Sequence, residues 1–103
     1  MLFMFWAGPA QSQGRIQGTV VDRETREPLF GANVLVRGTL LGTVTDLSGR
    51  FDIPHVPQGA VTLEVSLIGY EKRIMPNVRV GENQTASVRV EMDATVLLQE
   101  TTV

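Results

Sequence analysis

The chain has 103 residues, 43% of them hydrophobic, which suits a single domain built around one core. Its 9 basic and 11 acidic residues give a net charge of −2 without a charged block, which argues against nucleic-acid binding, since that needs a clustered basic face. The absence of cysteine and the single histidine exclude thiol catalysis, disulfides and cysteine or multi-histidine metal sites.

The first residues differ in composition from the rest of the chain. Met1–Ala7 is a short apolar run, and the small residues Ala10 and Ser12 fit the pattern that precedes a signal-peptidase cut. No basic residue comes before Arg15, so we interpret residues 1–12 as the residual part of a signal peptide and expect an exported protein. The alternative is a disordered apolar leader. The run is shorter than the roughly 20 residues of a transmembrane helix.

From Gly14 onwards the chain alternates apolar and polar residues, as half-buried strands do. This period of two predicts strands at 15–22, 33–37, 43–46, 51–53, 60–68, 71–75, 78–80 and 88–92. No segment carries the apolar spacing of an amphipathic helix. About seven short strands with regular turn signals predict an all-β protein, a seven-stranded antiparallel Greek-key β-sandwich.

The connections between these strands have recognisable turn chemistry. We expect Asp22 to accept hydrogen bonds from backbone amides at the start of a polar turn over residues 23–28, and Asp46 to do the same in the hairpin turn Asp46–Gly49. Residues 54–59 carry a proline on each side of His55, which predicts a connection between strands. Phe51 continues the alternation and is predicted to lie in the core.

Many of these residues together resemble the carboxypeptidase regulatory-like domain, which is similar in fold to transthyretin. The resemblance covers roughly Gly14 to Met92 and is carried by Gly18-Thr19-Val20-Val21-Asp22, Thr25, Pro28-Leu29, Gly31-Ala32-Asn33-Val34, Gly38-Thr39, Gly42-Thr43, Thr45-Asp46, Gly49, Phe51, Ile53, Val65-Ser66 and Ile68-Gly69-Tyr70-Glu71. It divides the chain into a leader, a sandwich over residues 13–93 and a linker over residues 94–103.

In exported proteins this domain is often the N-terminal extension of SusC-like, TonB-dependent outer-membrane receptors. The resemblance therefore implies a non-catalytic accessory domain at the periplasmic face of the outer membrane, which assists energy-coupled nutrient uptake through partner docking. The implied partners are the C-terminal domain of TonB, or the plug and barrel of the parent receptor. Contact with the membrane is implied only through that barrel, and no cofactor is implied.

The last four residues, Glu100, Thr101, Thr102 and Val103, resemble the opening of a TonB box, the extended segment that links such an extension to the plug. Their β-branched side chains favour an extended conformation, and an extended segment can pair with the sheet edge of a partner. The alternative is an ordinary C-terminal linker.

Residues that could support catalysis are few and poorly combined. His55 lies in a predicted loop, and Ser48, Ser66 and Ser87 lack a base and an orienting partner for a nucleophilic triad. Acid–base or calcium pairs formed by Asp22 with Glu24, or by Asp46 with Asp52, are less plausible than structural roles for these residues. We therefore predict no catalytic, cofactor-binding or metal-binding residues, and no enzymatic activity.

Another class of function stays open, a structural spacer or carbohydrate-binding module of a secreted or cell-surface protein. A sugar-binding face usually carries several exposed aromatic side chains, and outside the leader only Phe30, Phe51 and Tyr70 are present. A small-molecule hydrolase built on the transthyretin fold would lack the histidines that its site needs.

Overall fold

The computed structural model describes residues 13–95, which form a sandwich of two β-sheets. Its strands are β1 (Gln13–Asp22), β2 (Asn33–Val36), β3 (Gly42–Val44), β4 (Arg50–Pro57), β5 (Gly59–Ser66), β6 (Arg73–Val80) and β7 (Thr85–Met92). One sheet has three strands in the order β4-β1-β7, and the other has four in the order β3-β2-β5-β6. The predicted seven-stranded β-sandwich is confirmed.

The core lies between the two sheets and is formed by the alternating side chains of each strand. In β2 the inward Val34 and Val36 are buried, whereas the outward Leu35 is exposed, as the alternation predicts. The core consists of Ile16, Val20, Ala32, Val34, Val36, Phe51, Ile53, Val56, Leu63, Val65, Val80, Val90 and Met92. Burying each of the larger side chains contributes about 1.5–3 kcal/mol, so this cluster is the main source of stability.

Gly18 allows the central strand to accept an aromatic ring. It lies between the buried Ile16 and Val20 and pairs with Phe51 of β4 on one side and Val88 of β7 on the other. A Cβ at this position would meet the backbone oxygen of Val88 and would come within 2.8 Å of the Phe51 ring. The missing side chain therefore leaves the space that the ring of Phe51 fills, and Phe51 is in the core as predicted.

One pairing departs from the predicted antiparallel arrangement. β1 runs antiparallel to β4, but it is parallel to β7, in a register that begins at Arg15 with Thr85 and ends at Asp22 with Met92. The other strand pairings are antiparallel. Alternation of side chains determines which face of a strand is buried, and it carries no information on the direction of the neighbouring strand.

Two strands continue through prolines at which the sequence predicts breaks. β4 includes Pro54 and Pro57, in place of the predicted connection, and β6 joins the two segments predicted at 71–75 and 78–80 across Pro76. Each strand lies at the edge of its sheet, where a residue without an N–H group is tolerated. His55 (φ 61°) and Asn77 (φ 61°) follow Pro54 and Pro76, and each strand pairing has a register shift nearby.

The described chain enters the sandwich at one end and leaves it at the other. One end, which we call the entry end, is formed by Gln13, the loops 37–41 and 81–84, and the link between β4 and β5. The exit end is formed by the turn and loop 23–32, the turn 45–49, the loop 67–72 and residues 93–95, which come after β7. The candidate site lies at the exit end.

Candidate functional site

The histidine and the three serines considered for catalysis lie in different parts of the fold. His55 is exposed at the entry end, where its Nδ1 is 3.2 Å from Oε1 of Gln13. Ser48 is in the exit-end turn, while Ser66 and Ser87 are on opposite sheets. Within residues 13–95 no three His, Cys, Asp or Glu side chains are grouped so that they could hold a metal ion.

Asp22 organises the polar turn after β1, as predicted. Its Oδ1 accepts hydrogen bonds from the backbone N–H groups of Glu24 at 2.8 Å and Thr25 at 3.0 Å. The backbone closes the turn, because the Arg26 N–H donates to the Asp22 carbonyl and the Asp22 N–H donates to the Glu27 carbonyl. The side chain thus satisfies amides that would otherwise lack a partner at the end of a strand.

Tyr70 attaches a second loop to this turn. Its hydroxyl donates to Oδ2 of Asp22 at 2.7 Å. This hydrogen bond, together with those from the turn amides, lowers the pKa of Asp22. The same bond, together with burial and the negative charge of Asp22, raises the pKa of Tyr70 to about 12. Both groups therefore keep their ordinary charge states, carboxylate and neutral phenol, across the physiological pH range.

Residues 93–95, which we call the exit strap, hold the chain against the same loop after β7 ends. The Glu71 N–H donates to the Asp93 carbonyl at 2.8 Å, and the Thr95 N–H donates to the Gly69 carbonyl at 2.9 Å. These bonds flank an antiparallel bridge between Tyr70 and Ala94. Nε of Arg23 also lies 2.7 Å from Oδ1 of Asp93. The path by which the chain leaves the sandwich is thus fixed by the loop that carries Tyr70.

Thr45 braces the other two connections of the exit end. It is 2% exposed, and its hydroxyl donates to the Leu29 carbonyl at 2.6 Å while accepting from the Ala32 N–H at 2.9 Å. Its backbone N–H donates to the Ala32 carbonyl, and its carbonyl accepts from Gly31. A buried hydroxyl with all these partners holds the loop before β2 against the segment after β3.

The turn after Thr45 has the predicted chemistry. Oδ1 of Asp46 accepts from the backbone N–H groups of Ser48 at 2.8 Å and Arg50 at 2.9 Å. Gly49 has a φ of 74°, and a Cβ there would come within 2.7 Å of the Val20 carbonyl oxygen. Asp46 is thus confirmed as a turn residue, while Asp52 is paired with Arg15 at 2.7 Å.

The outer face of the three-stranded sheet carries an open groove, which Thr43 and Val44 of β3 also line. This open groove of about 740 Å³ is lined by polar side chains that include Gln17, Thr19, Arg50, Asp52, Ser87 and Arg89. The aromatic residue in its lining, Phe51, is buried in the core. The groove therefore offers no aromatic face on which a sugar ring could stack.

The predicted partner-binding residues Glu100, Thr101, Thr102 and Val103, and the leader at residues 1–12, lie outside the described residues. Neither the exit strap nor the role of Thr45 at the exit end was predictable from the sequence. Asp93, Ala94 and Thr95 have no distinctive pattern, and their contacts depend on a loop more than twenty residues earlier. A buried threonine likewise gives no signal that separates it from the exposed threonines of neighbouring strands.

The comparisons with known proteins agree with this fold. A family model described as the CarboxypepD_reg-like domain matches residues 16–103. The TonB-dependent receptor SusC of Bacteroides thetaiotaomicron is 44% identical over 61 residues, which cover 59% of this chain and 6% of the receptor. The TonB-dependent receptor P39 of Formosa agariphila is 39% identical over 72 residues, which cover 70% of this chain and 7% of the receptor.

Among solved structures, the TIE protein of Bacillus anthracis superposes with a TM-score of 0.68 at 19% identity, over 82% of this chain and 17% of that one. This likeness concerns the fold alone. The described residues contain no helix with the length and apolar character needed to cross a membrane. The chain spans less than a tenth of the two receptors that it matches. Because the family model covers well over half of its length, the chain belongs to the CarboxypepD_reg-like domain family.

Proposed function

We propose that this chain is the non-catalytic N-terminal accessory domain of a TonB-dependent outer-membrane receptor. In this proposal the protein is exported, the domain lies at the periplasmic face of the outer membrane, and it assists energy-coupled nutrient uptake by docking partners. Residues 1–12 are the remainder of a signal peptide, and residues 94–103 link the sandwich to the receptor plug. The partners are the C-terminal domain of TonB and the plug and barrel of the same receptor.

The observation that carries the proposal is the similarity to SusC and P39, two proteins named as TonB-dependent receptors, at 44% and 39% identity. The geometry supports a role in which the domain orients the receptor plug or transmits force to it. The exit strap is bonded to the Tyr70 loop, and Tyr70 is bonded to the Asp22 turn, so the linker begins from a fixed point.

Glu100, Thr101, Thr102 and Val103 are proposed as the beginning of the TonB box. The segment begins five residues after the exit strap ends at Thr95. Its two threonines and its valine favour an extended conformation. Such a segment would pair with an edge strand of the TonB C-terminal domain through main-chain hydrogen bonds.

Proline substitution in the full-length receptor tests this pairing. Because N–H groups of successive residues point to opposite sides of a strand, one of Thr101→Pro and Thr102→Pro will remove a donor that faces TonB. We expect that variant to bind the purified TonB C-terminal domain about 10-fold more weakly by calorimetry, which is the upper end of the effect of losing one hydrogen bond.

Thr101→Val and Thr102→Val are the matched controls, because valine keeps the N–H group and the extended preference. Both should bind TonB as the unmodified receptor does. Unchanged affinity in both proline variants would contradict the assignment of the box and leave these residues as a linker. A downstream region with no plug and barrel would instead contradict the receptor proposal and favour the spacer module.

A further inference from the structure

Exposed apolar side chains are distributed unevenly over the described part of the sandwich. The exposed large ones are Phe30, Leu35, Leu40, Val44, Leu47, Ile68 and Ile74. Leu35, Val44 and Ile74 lie on strands of the four-stranded sheet and the other four lie in loops, of which those of Phe30 and Leu47 join the two sheets; none lies on β1, β4 or β7. The outward side chains with which the three-stranded sheet lines its open groove are polar, and Val44 of β3 lies at the side of that groove. Single exposed apolar residues are ordinary, whereas neighbouring ones can form an interaction surface.

Three of these side chains stand on adjacent loops of the exit end, and we call them the apolar rim. They are Phe30, 61% exposed, Leu47, 79% exposed, and Ile68, 97% exposed. Asn33 of β2 pairs with both Val44 of β3 and Ser66 of β5, so the three loops leave neighbouring strands at the same level. The rim therefore carries three large apolar groups on neighbouring loops at one end of the sheet.

The backbone that carries the rim is held in place. Thr45 binds the loop of Phe30 to the segment that precedes Leu47, and the Asp46 carboxylate fixes the turn around Leu47. The loop of Ile68 is held by the Tyr70 N–H, which donates to the Leu67 carbonyl at 3.0 Å, and by the exit strap. A surface presented by braced loops loses less conformational entropy when it binds a partner than mobile loops would.

Two arginines of the exit end are held in ion pairs. Arg23 is paired with Asp93 at 2.7 Å, and Arg26 with Glu91 at 3.0 Å.

The exit strap indicates which partner is placed at the rim. The Thr95 N–H is bonded to the carbonyl of Gly69, the residue next to Ile68, so Thr95, the last described residue, lies beside the rim. SusC and P39 are far longer than the region that matches this chain. A domain tethered by a short linker has an effective concentration in the millimolar range, which favours it over a free partner.

We propose that the apolar rim is a docking surface for the folded region that comes after this domain in the same polypeptide. That region presents an apolar patch to Phe30, Leu47 and Ile68 and thereby fixes the orientation of the sandwich. The inference rests on the proposed function, in which the downstream region is the receptor plug. The outer-face residues Leu35, Val44 and Ile74 are outside this contact.

Cysteine accessibility in the intact receptor tests the docking. The 103 residues contain no cysteine, so Phe30→Cys, Leu47→Cys and Ile68→Cys can be made one at a time in a receptor without other reactive thiols. Leu40→Cys is the matched control, because Leu40 is 101% exposed and lies at the entry end. We expect a maleimide reagent to label the three rim cysteines about 10-fold more slowly than the Leu40→Cys control, as docking with about 90% occupancy would give.

A second variant decides whether the contact is apolar. Adding Ile68→Asp to the Phe30→Cys receptor places a charge in the contact, and we expect the labelling rate at position 30 to rise to that of the Leu40→Cys control. The proposal would be overturned by equal labelling at all four positions or by protection that survives Ile68→Asp. Protection that depends on receptor concentration would also overturn it, because it would indicate contact with a second copy of the receptor.

The labelling experiment and the test of the TonB box fail independently. Unprotected rim cysteines in a receptor that binds TonB through residues 100–103 would leave the proposed function standing and remove the docking. Protected rim cysteines in a polypeptide whose downstream region is not a receptor would leave the docking standing and remove the proposed function.

Discussion

At the scale of single residues, Tyr70 and Asp22 join two turns that are 48 residues apart in sequence. Asp22 uses one carboxylate oxygen for its own turn and the other for Tyr70. The local role of Asp22 was predictable, because aspartate commonly accepts from amides two or three residues later. The bond to Tyr70 was not predictable, because nothing in either short segment reveals that they meet.

This pair predicts an unusual titration of the single tyrosine of the chain. Tyr70 should ionise with a midpoint near its raised pKa of about 12, which absorbance at 295 nm can follow without interference from another tyrosine. In Asp22→Asn the charge that opposes ionisation is absent, so we expect the midpoint to fall towards the ordinary value of about 10.

Glu27→Gln is the control for this titration. The charge of Glu27 also raises the pKa of Tyr70, but it is the last of the causes and has no hydrogen bond to the phenol. Its replacement should lower the midpoint less than Asp22→Asn does. Equal shifts in the two variants would show that general electrostatics, and not the hydrogen bond, sets the pKa of Tyr70.

The same shifts give the pair a pH window for stability. The folded pKa of Tyr70 lies above the unfolded value of about 10, so its contribution is complete below pH 10 and is lost as pH rises through about 12. The pKa of Asp22 is lower in the folded than in the unfolded state. Its contribution to the free energy of unfolding is therefore complete above the unfolded pKa and is lost as pH falls through the folded pKa. The pair therefore stabilises the exit end between these limits.

At the scale of elements, the sequence predicts most strands correctly but places breaks in two of them that the structure does not have. Alternation placed Val34, Val36, Leu63 and Val65 correctly on inward faces. Pro54 and Pro76 predict the ends of strands, yet β4 and β6 continue through them because both are edge strands. The position of a strand within its sheet depends on the whole fold, so a local sequence cannot indicate whether a proline will be tolerated.

The exit strap is the element most open to a decisive test. Thr95→Pro removes the N–H group that donates to the Gly69 carbonyl, while Thr95→Val keeps it and removes only the hydroxyl, which is 3.2 Å from the same carbonyl. In hydrogen exchange followed by NMR, we expect the Glu71 amide, bonded to the Asp93 carbonyl, to exchange faster in the proline variant and nearly normally in the valine variant.

Unchanged protection of Glu71 in Thr95→Pro would mean that the bridge between Tyr70 and Ala94, with the ion pair of Arg23 and Asp93, holds the strap alone. Faster exchange in both variants would assign the effect to the hydroxyl. The amide of Val34 in β2 provides the internal reference and should not change, since Val34 is buried in the core and β2 pairs with β3 and β5, not with the strap.

At the scale of the whole molecule, the alternation pattern determined which faces are buried but left the arrangement of strands open. The parallel pairing of β1 with β7 brings the first and last strands of the sandwich side by side. It could not be inferred from composition or alternation, because both strands have the same pattern of inward apolar residues in either direction. The same pairing also places the two ends of the described chain at opposite ends of the domain.

That arrangement has a mechanical consequence. A force applied between Gln13 and Thr95 pulls β1 and β7 in opposite directions along their common axis, so the hydrogen bonds between them are loaded together in shear. A force between Gln13 and Thr85, which both lie at the entry end, would open the same ladder one bond at a time. With optical tweezers we expect a clearly higher unfolding force for the first pair of attachment points. Equal forces would show that another contact yields first. The expected difference would mean that the sandwich resists unfolding most strongly when force is applied along the axis of β1 and β7.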